Sequence, residues 1–130
     1  MNEFDWKTFF DIANEVLGEG SNVTEHSNNW CAWTTFSKLQ DDCNYWKRGL
    51  PKKGEYTSSH VKDGGVWMQP FNYSDLAHII IPAKFIWEKF DNNQFLTGEK
   101  HQNIKELSRR LSEKGLKHRC TDLILEIKLY

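Results

Sequence analysis

HQNIKELSRRLSEKGLKHRCTDLILEIKLY, residues 101–130, changes its hydrophobic period once, and that change decides the fold class. Ile104, Leu107, Ser108 and Leu111 recur at three- and four-residue steps, which is one stripe of a helix. Gly115 supplies the left-handed position after it, and Lys114, Lys117 and Arg119 suit its negative end. From Thr121 the period becomes two. Leu123, Leu125, Ile127 and Leu129 alternate with Ile124, Glu126, Lys128 and Tyr130, the pattern of a half-buried strand. A helix that returns directly into a strand needs a sheet to lie on. The four alternating apolar residues are therefore expected to face a core beneath the 101–114 helix, with Glu126 and Lys128 outward. Strand, helix and return strand would add one parallel pair by a right-handed crossover.

The other end of the chain is helical in pattern. Trp6, Phe9, Phe10, Ala13, Val16 and Leu17 share one face. Asp5 is placed to cap the helix and Gly18 to stop it. Glu3, Asp5 and Asp11 sit early, where the helix dipole favours negative charge. Between the two helices lie strand signals. WCAWTTF, residues 30–36, is aromatic and β-branched. Trp30, Ala32, Thr34 and Phe36 would share one face, and Cys31, Trp33 and Thr35 the other. Residues 37–50 fit a helix by the spacing of Leu39, Cys43 and Trp46, yet their Asp and Asn content weakens it. EYTSSHVKDGGVWMQPF, residues 55–71, predicts a hairpin turning at Asp63-Gly64, with Val61 opposite Val66 and His60 opposite Trp67. LAHIII is a buried strand stopped by Pro82. Residues 84–97 fit a short helix or a hairpin turning at DNN, the hairpin being preferred. The whole is an α+β domain over residues 1–130. It has a mostly antiparallel sheet of about five to six strands, N- and C-terminal helices on one face, and a last strand after the C-terminal helix.

One hundred and thirty residues with six Trp and eight Phe suffice for one core. A net charge of −1 argues against coating nucleic acid by bulk electrostatics. The charge is uneven. Residues 1–29 carry six acids against Lys7 alone; residues 99–119 carry seven Lys and Arg against three Glu. Such asymmetry indicates two elements attracting each other or two faces with different partners. No secretory signal and no apolar run of about 20 residues is seen. The odd, irregularly spaced Cys31, Cys43 and Cys120 suit free thiols, so a cytoplasmic protein is expected.

Glu126 and Lys128 lie two apart on a strand and so face the same side. A carboxylate there can bind Mg²⁺ while the ammonium stabilises a phosphate. This arrangement resembles the strand motif of PD-(D/E)xK nucleases over the last eight residues. The resemblance implies a metal-binding Asp on the preceding strand and a helix after the lysine strand. Asp122 is on the same strand and cannot take that role. Asp75 and Asp91 remain, and neither follows a proline. Ordinary cross-strand ion pairing explains the same residues. The histidines, His26, His60, His78, His101 and His118, lack the spacing of a zinc site. His78 stands out, in LAHIIIP, as buried and hydrogen-bonded. Cys31 has the setting of a small core residue rather than a nucleophile. Glu106 and Glu113 interrupt the basic run Lys105, Arg109, Arg110 and Lys114, which fits a solvated face.

The function expected from size, composition and charge placement is a soluble protein-binding inhibitor, of the immunity type that neutralises a toxin or nuclease. It would use an acidic, aromatic surface and no cofactor or metal. Asp11, Glu15, Glu19, Asp41, Asp42 and Trp46 are the expected anchors on a basic protein partner, since acidic surfaces steer toward basic ones. The expected alternative is a metal-dependent nuclease using Glu126 and Lys128.

Overall fold

The computed structural model describes residues 4–130. Glu3, one of the acids expected at the helix start, lies outside them. Helix α1 spans Trp6–Leu17, capped by Asp5, whose side chain accepts from the Thr8 N–H. Gly18 ends it at φ +85°. Helix α3 spans Ile104–Glu113 and is capped by Asn103. Gly115 follows at φ +71°. Both helix ends are thus closed by the residue chemistry that favours them.

The main sheet has five strands: β1 (Cys31–Thr35), β2 (Trp46–Arg48), β5 (Leu76–Pro82), β8 (Arg119–Cys120) and β9 (Ile124–Lys128), in the order β2-β1-β5-β9-β8. Every pair in it is antiparallel. The expected parallel pair is absent because β9 lies between β5 and β8 and runs opposite to both. Two ribbons complete the fold, β3 (His60–Val61) with β4 (Phe71–Asn72), and β6 (Lys84–Asp91) with β7 (Gln94–His101). Residues 37–50 resolve into both states: a short helix α2 (Phe36–Asp41), then strand β2. The fold is α+β, as the sequence predicts.

Register explains which face is core. Trp33 sits opposite Ile79, which sits opposite Ile127, and Ile81 sits opposite Leu125. These residues are buried together with Trp6, Phe9 and Phe10 of α1 and Leu107 and Leu111 of α3. The helices therefore cover one face of the sheet. The centre is aromatic. Trp33 stacks on Trp67 with ring centroids 3.9 Å apart and planes 8° apart. Phe71 and Trp46 close around this pair. Each such ring removes much apolar area from water, which suits a small core. The charge asymmetry is partly internal, since Arg110 of α3 reaches Glu15 of α1 at 2.6 Å.

The last strand corrects one expectation. Leu125 and Ile127 are buried, but Leu123 is 76% exposed and Leu129 41%. Pairing with β5 runs only from Ile124 to Lys128. The backbones of Leu123 and Leu129 still reach the neighbouring strand, Leu129 N–H donating to Ala77 O and Leu123 O accepting from Ala83 N–H, but their side chains lie at the rim, past the cover of the core.

The hairpin expected at Asp63-Gly64 is not formed. Val61 pairs with Phe71, and His60 with Asn72. Of the two turn residues only Gly64 has positive φ, whereas a type I′ turn needs both. Glu55 draws this segment elsewhere, accepting from the Lys52 N–H and the Val66 N–H. The chain instead reverses through the longer 62–70 connection, and a second, tighter reversal forms at Ser58-Ser59. Thr57 N–H donates to His60 O, and Tyr56 bridges to Val61. Trp67 is thereby released into the core, its indole N–H donating to Gly49 O. The loop after α1 is held against the same region. Gly20 lies so close to the backbone of Leu50 that a Cβ there would stand 2.2 Å from its carbonyl oxygen.

Candidate functional site

Two surfaces stand out. The first is the β6–β7 hairpin, whose two-residue turn places Asn92 at φ +48° and Asn93 at φ +62°. This is the type I′ geometry, and Asn tolerates it. The base of the hairpin is fastened to the body. Phe85 stacks on Trp30 at 5.9 Å. Lys100 Nζ donates to the carbonyls of Thr24, Glu25 and Ser27. The Trp87 ring lies across Gly98, where a Cβ would come within 2.6 Å. The outer part is bare: every residue from 88 to 97 is exposed.

Pairing sets Phe90 opposite Phe95, Glu88 opposite Thr97 and Ile86 opposite Glu99. Alternate positions share a face, so these residues form one surface. Phe90 is 73% exposed and Phe95 61%. Glu88 makes no ion pair with any described residue, while Glu99 meets Lys84 at 3.5 Å. The hairpin thus presents two aromatic rings beside acids. The sequence carries this in KFDNNQFL, where two phenylalanines flank a turn symmetrically. Strand patterning alone makes them look like core, because it does not show that the ribbon has no third strand or covering helix.

The second surface is the polar face of the sheet around Glu126. Its oxygens are both engaged: Oε1 accepts from His78 Nε2 at 2.7 Å, and Oε2 from Arg119 at 2.6 Å. His78 is buried, and the Glu126 side chain is 12% exposed. Donation from Nε2 leaves Nδ1 facing the Tyr45 hydroxyl at 2.7 Å, and Tyr45 also meets Tyr130 at 3.1 Å. Burial alone would raise the Glu126 carboxyl, but the bonds from Arg119 and His78 outweigh it and hold it below its ordinary value. Burial, followed by the bond to Tyr130, pushes the Tyr45 hydroxyl up. The acid is committed to hydrogen bonds, and a metal ion would have to displace them.

The nuclease-type partners stand elsewhere. Asp75 accepts from the Ser37 backbone and hydroxyl, and Asp91 pairs with Lys89 at the hairpin tip. Among the described residues no group of three His, Cys, Asp or Glu side chains is placed to hold a metal.

No protein-family model, curated protein or solved structure matches this chain.

The anchors expected from sequence fall into two groups. On α1, Asp11 accepts from Lys7 at 2.8 Å and from Tyr56 at 2.5 Å. Burial acts to raise its carboxyl, but these bonds prevail and lower it. Glu15 is taken by Arg110, and Glu19, just past the helix, is exposed. Near β2, Asp41 is exposed and Asp42 pairs with Lys38. Trp46 is half-buried against Trp33 and Phe71, with Lys38 Nζ 4.5 Å above its ring. Asp11, Glu15, Asp42 and Trp46 are thus engaged within the fold. No helix among the described residues is long and apolar enough to cross a membrane.

Proposed function

We propose that the protein is a non-catalytic inhibitor that binds a basic protein partner, a toxin or nuclease, through the β6–β7 hairpin. The observation that carries this is the exposed pair Phe90 and Phe95 on one face with Glu88. Two phenylalanine rings left in water are costly unless a partner covers them, and aromatic residues at the centre of an interface carry most of its energy. The acid beside them favours a partner whose apolar pocket is rimmed by Lys or Arg. This keeps the acidic, aromatic character expected from composition and shifts it from α1 to the hairpin. The shift follows from Asp11 and Glu15 being neutralised internally.

The test is co-purification with the product of the adjacent gene, quantified by titration calorimetry. Wild-type protein should form a tight stoichiometric complex. Changing Phe90 and Phe95 together to Ser should weaken it by about a hundredfold or more, as expected for two hot-spot residues, with the melting temperature unchanged. Undiminished binding by that variant would overturn the reading.

A further inference from the structure

The sheet edge at β8 opens into a concavity of about 470 Å³ lined by Lys117, His118, Arg119, Glu126, Lys128 and Leu129. β8 is only two residues long, pairing Arg119 with Glu126 and Cys120 with Leu125. Continuing that register two residues outward sets Lys117 against Lys128. The strands are not paired there, and the concavity lies between them. By alternation Lys117, Arg119, Glu126 and Lys128 share the face of the sheet away from the core.

The charges at this site do not balance. Three cations meet one carboxylate, and that carboxylate is already bound by His78 and Arg119. Neither Lys117 nor Lys128 makes an ion pair with any described residue; Lys128 Nζ lies 4.8 Å above the Tyr130 ring. Like charges gathered around one concavity repel when nothing lies between them. His118 forms the wall, since Nδ1 faces Leu116 O at 2.8 Å and Nε2 faces Ser108 Oγ at 2.7 Å. Arg119 uses one terminal nitrogen on Glu126, so the rest of its planar fork is free for a second acceptor.

We infer that this concavity is a binding site for a phosphate monoester. The surplus of two positive charges matches a dianion, and a phosphate group carries about −1.5 to −2 near neutrality with three acceptor oxygens. Arg119, held in place by Glu126, would grip two oxygens, and the two lysines would neutralise the remainder from opposite walls. Glu126 then acts as a positioning residue for Arg119. This gives the acid-x-lysine pair a role in anion binding that involves no metal.

The experiment follows backbone amide shifts of the full chain during titration with inorganic phosphate, O-phosphoserine and a nucleoside monophosphate, at constant ionic strength. Saturable shifts confined to residues 117–119 and 126–129 are expected. The tightest of the three probes identifies the source of the phosphate group. Lys117→Gln combined with Lys128→Gln should weaken binding by about tenfold or more, as expected for lost charge-assisted bonds. Lys117→Gln alone, at an exposed side chain without a partner, should reproduce part of that loss with the fold intact. Shifts that do not saturate by concentrations on the order of 10 mM, that spread equally to exposed lysines elsewhere such as Lys47, Lys53 and Lys62, or that survive the double change would overturn the proposal.

Discussion

His78 Nε2 and Glu126 Oε1 stand 2.7 Å apart across the two central strands β5 and β9. The ring is buried, and its other nitrogen meets the Tyr45 hydroxyl. The last acid of the chain is therefore fixed within the sheet, although it lies on the face away from the core.

Glu126→Gln should destabilise the protein by about 1–3 kcal/mol, because a largely covered ring and a guanidinium lose a charged acceptor. This exceeds the loss of about 1 kcal/mol or less expected for an exposed pair. The effect should depend on pH. The carboxyl is held below its ordinary value of 4.5, so the unfolded chain takes up its proton first as pH falls. The stabilisation is complete above the unfolded value and is lost as pH drops through the folded one. Asp11 acts in the same direction. Urea denaturation from pH 7 to pH 3 should show wild type and Glu126→Gln converging below about pH 4.5. A gap that stays constant with pH would show that the charge of Glu126 is not its source.

Leu125→Ala should cost about 2–5 kcal/mol, as for other buried leucines. Leu123→Ala and Leu129→Ala should each stay within about 0.5 kcal/mol, the range of surface changes. Denaturation curves of the three variants beside wild type measure this. Equal losses at all three positions would restore the core-facing alternation read from sequence.

What the sequence made legible follows from local chemistry. The caps Asp5 and Gly18, the apolar stripe of α1 and the change of period at Thr121 act over a few residues, and all three predicted the structure. Asp63-Gly64 misled because a two-residue signal competes with longer contacts. Glu55 and the stacking of Trp67 on Trp33 decide that segment, and neither is visible from the turn. His78 was legible as buried and bonded, but its partners Tyr45 and Glu126 are 33 and 48 residues away. The exposure of Phe90 and Phe95 was illegible for a related reason: strand patterning does not say whether a ribbon has neighbours.

Asn93→Gly should stabilise the β6–β7 ribbon by a few tenths of a kcal/mol up to about 1 kcal/mol, since Asn-Gly is the preferred type I′ pair. Amide exchange in residues 88–97 should slow, with the global melting temperature little changed. Faster exchange there would contradict the turn type.

The three cysteines are free in the structure. Cys43 is exposed and should react with a thiol reagent in the native protein. Cys120 should follow more slowly, and Cys31, whose thiol burial pushes up, should react only on unfolding. Mass spectrometry at timed intervals gives the order. Early modification of Cys31 would contradict its burial in the core.

The stacked indoles of Trp33 and Trp67 also have an optical consequence. Two chromophores at 3.9 Å with nearly parallel planes share their excitation, so their ultraviolet transitions couple rather than add. One ring comes from strand β1 and the other from a loop in a different part of the chain, so the coupling exists only while the two are docked. Near-ultraviolet circular dichroism should therefore report that docking directly, and a partly folded state that keeps its strands but frees residue 67 would lose this signal while its far-ultraviolet spectrum persists.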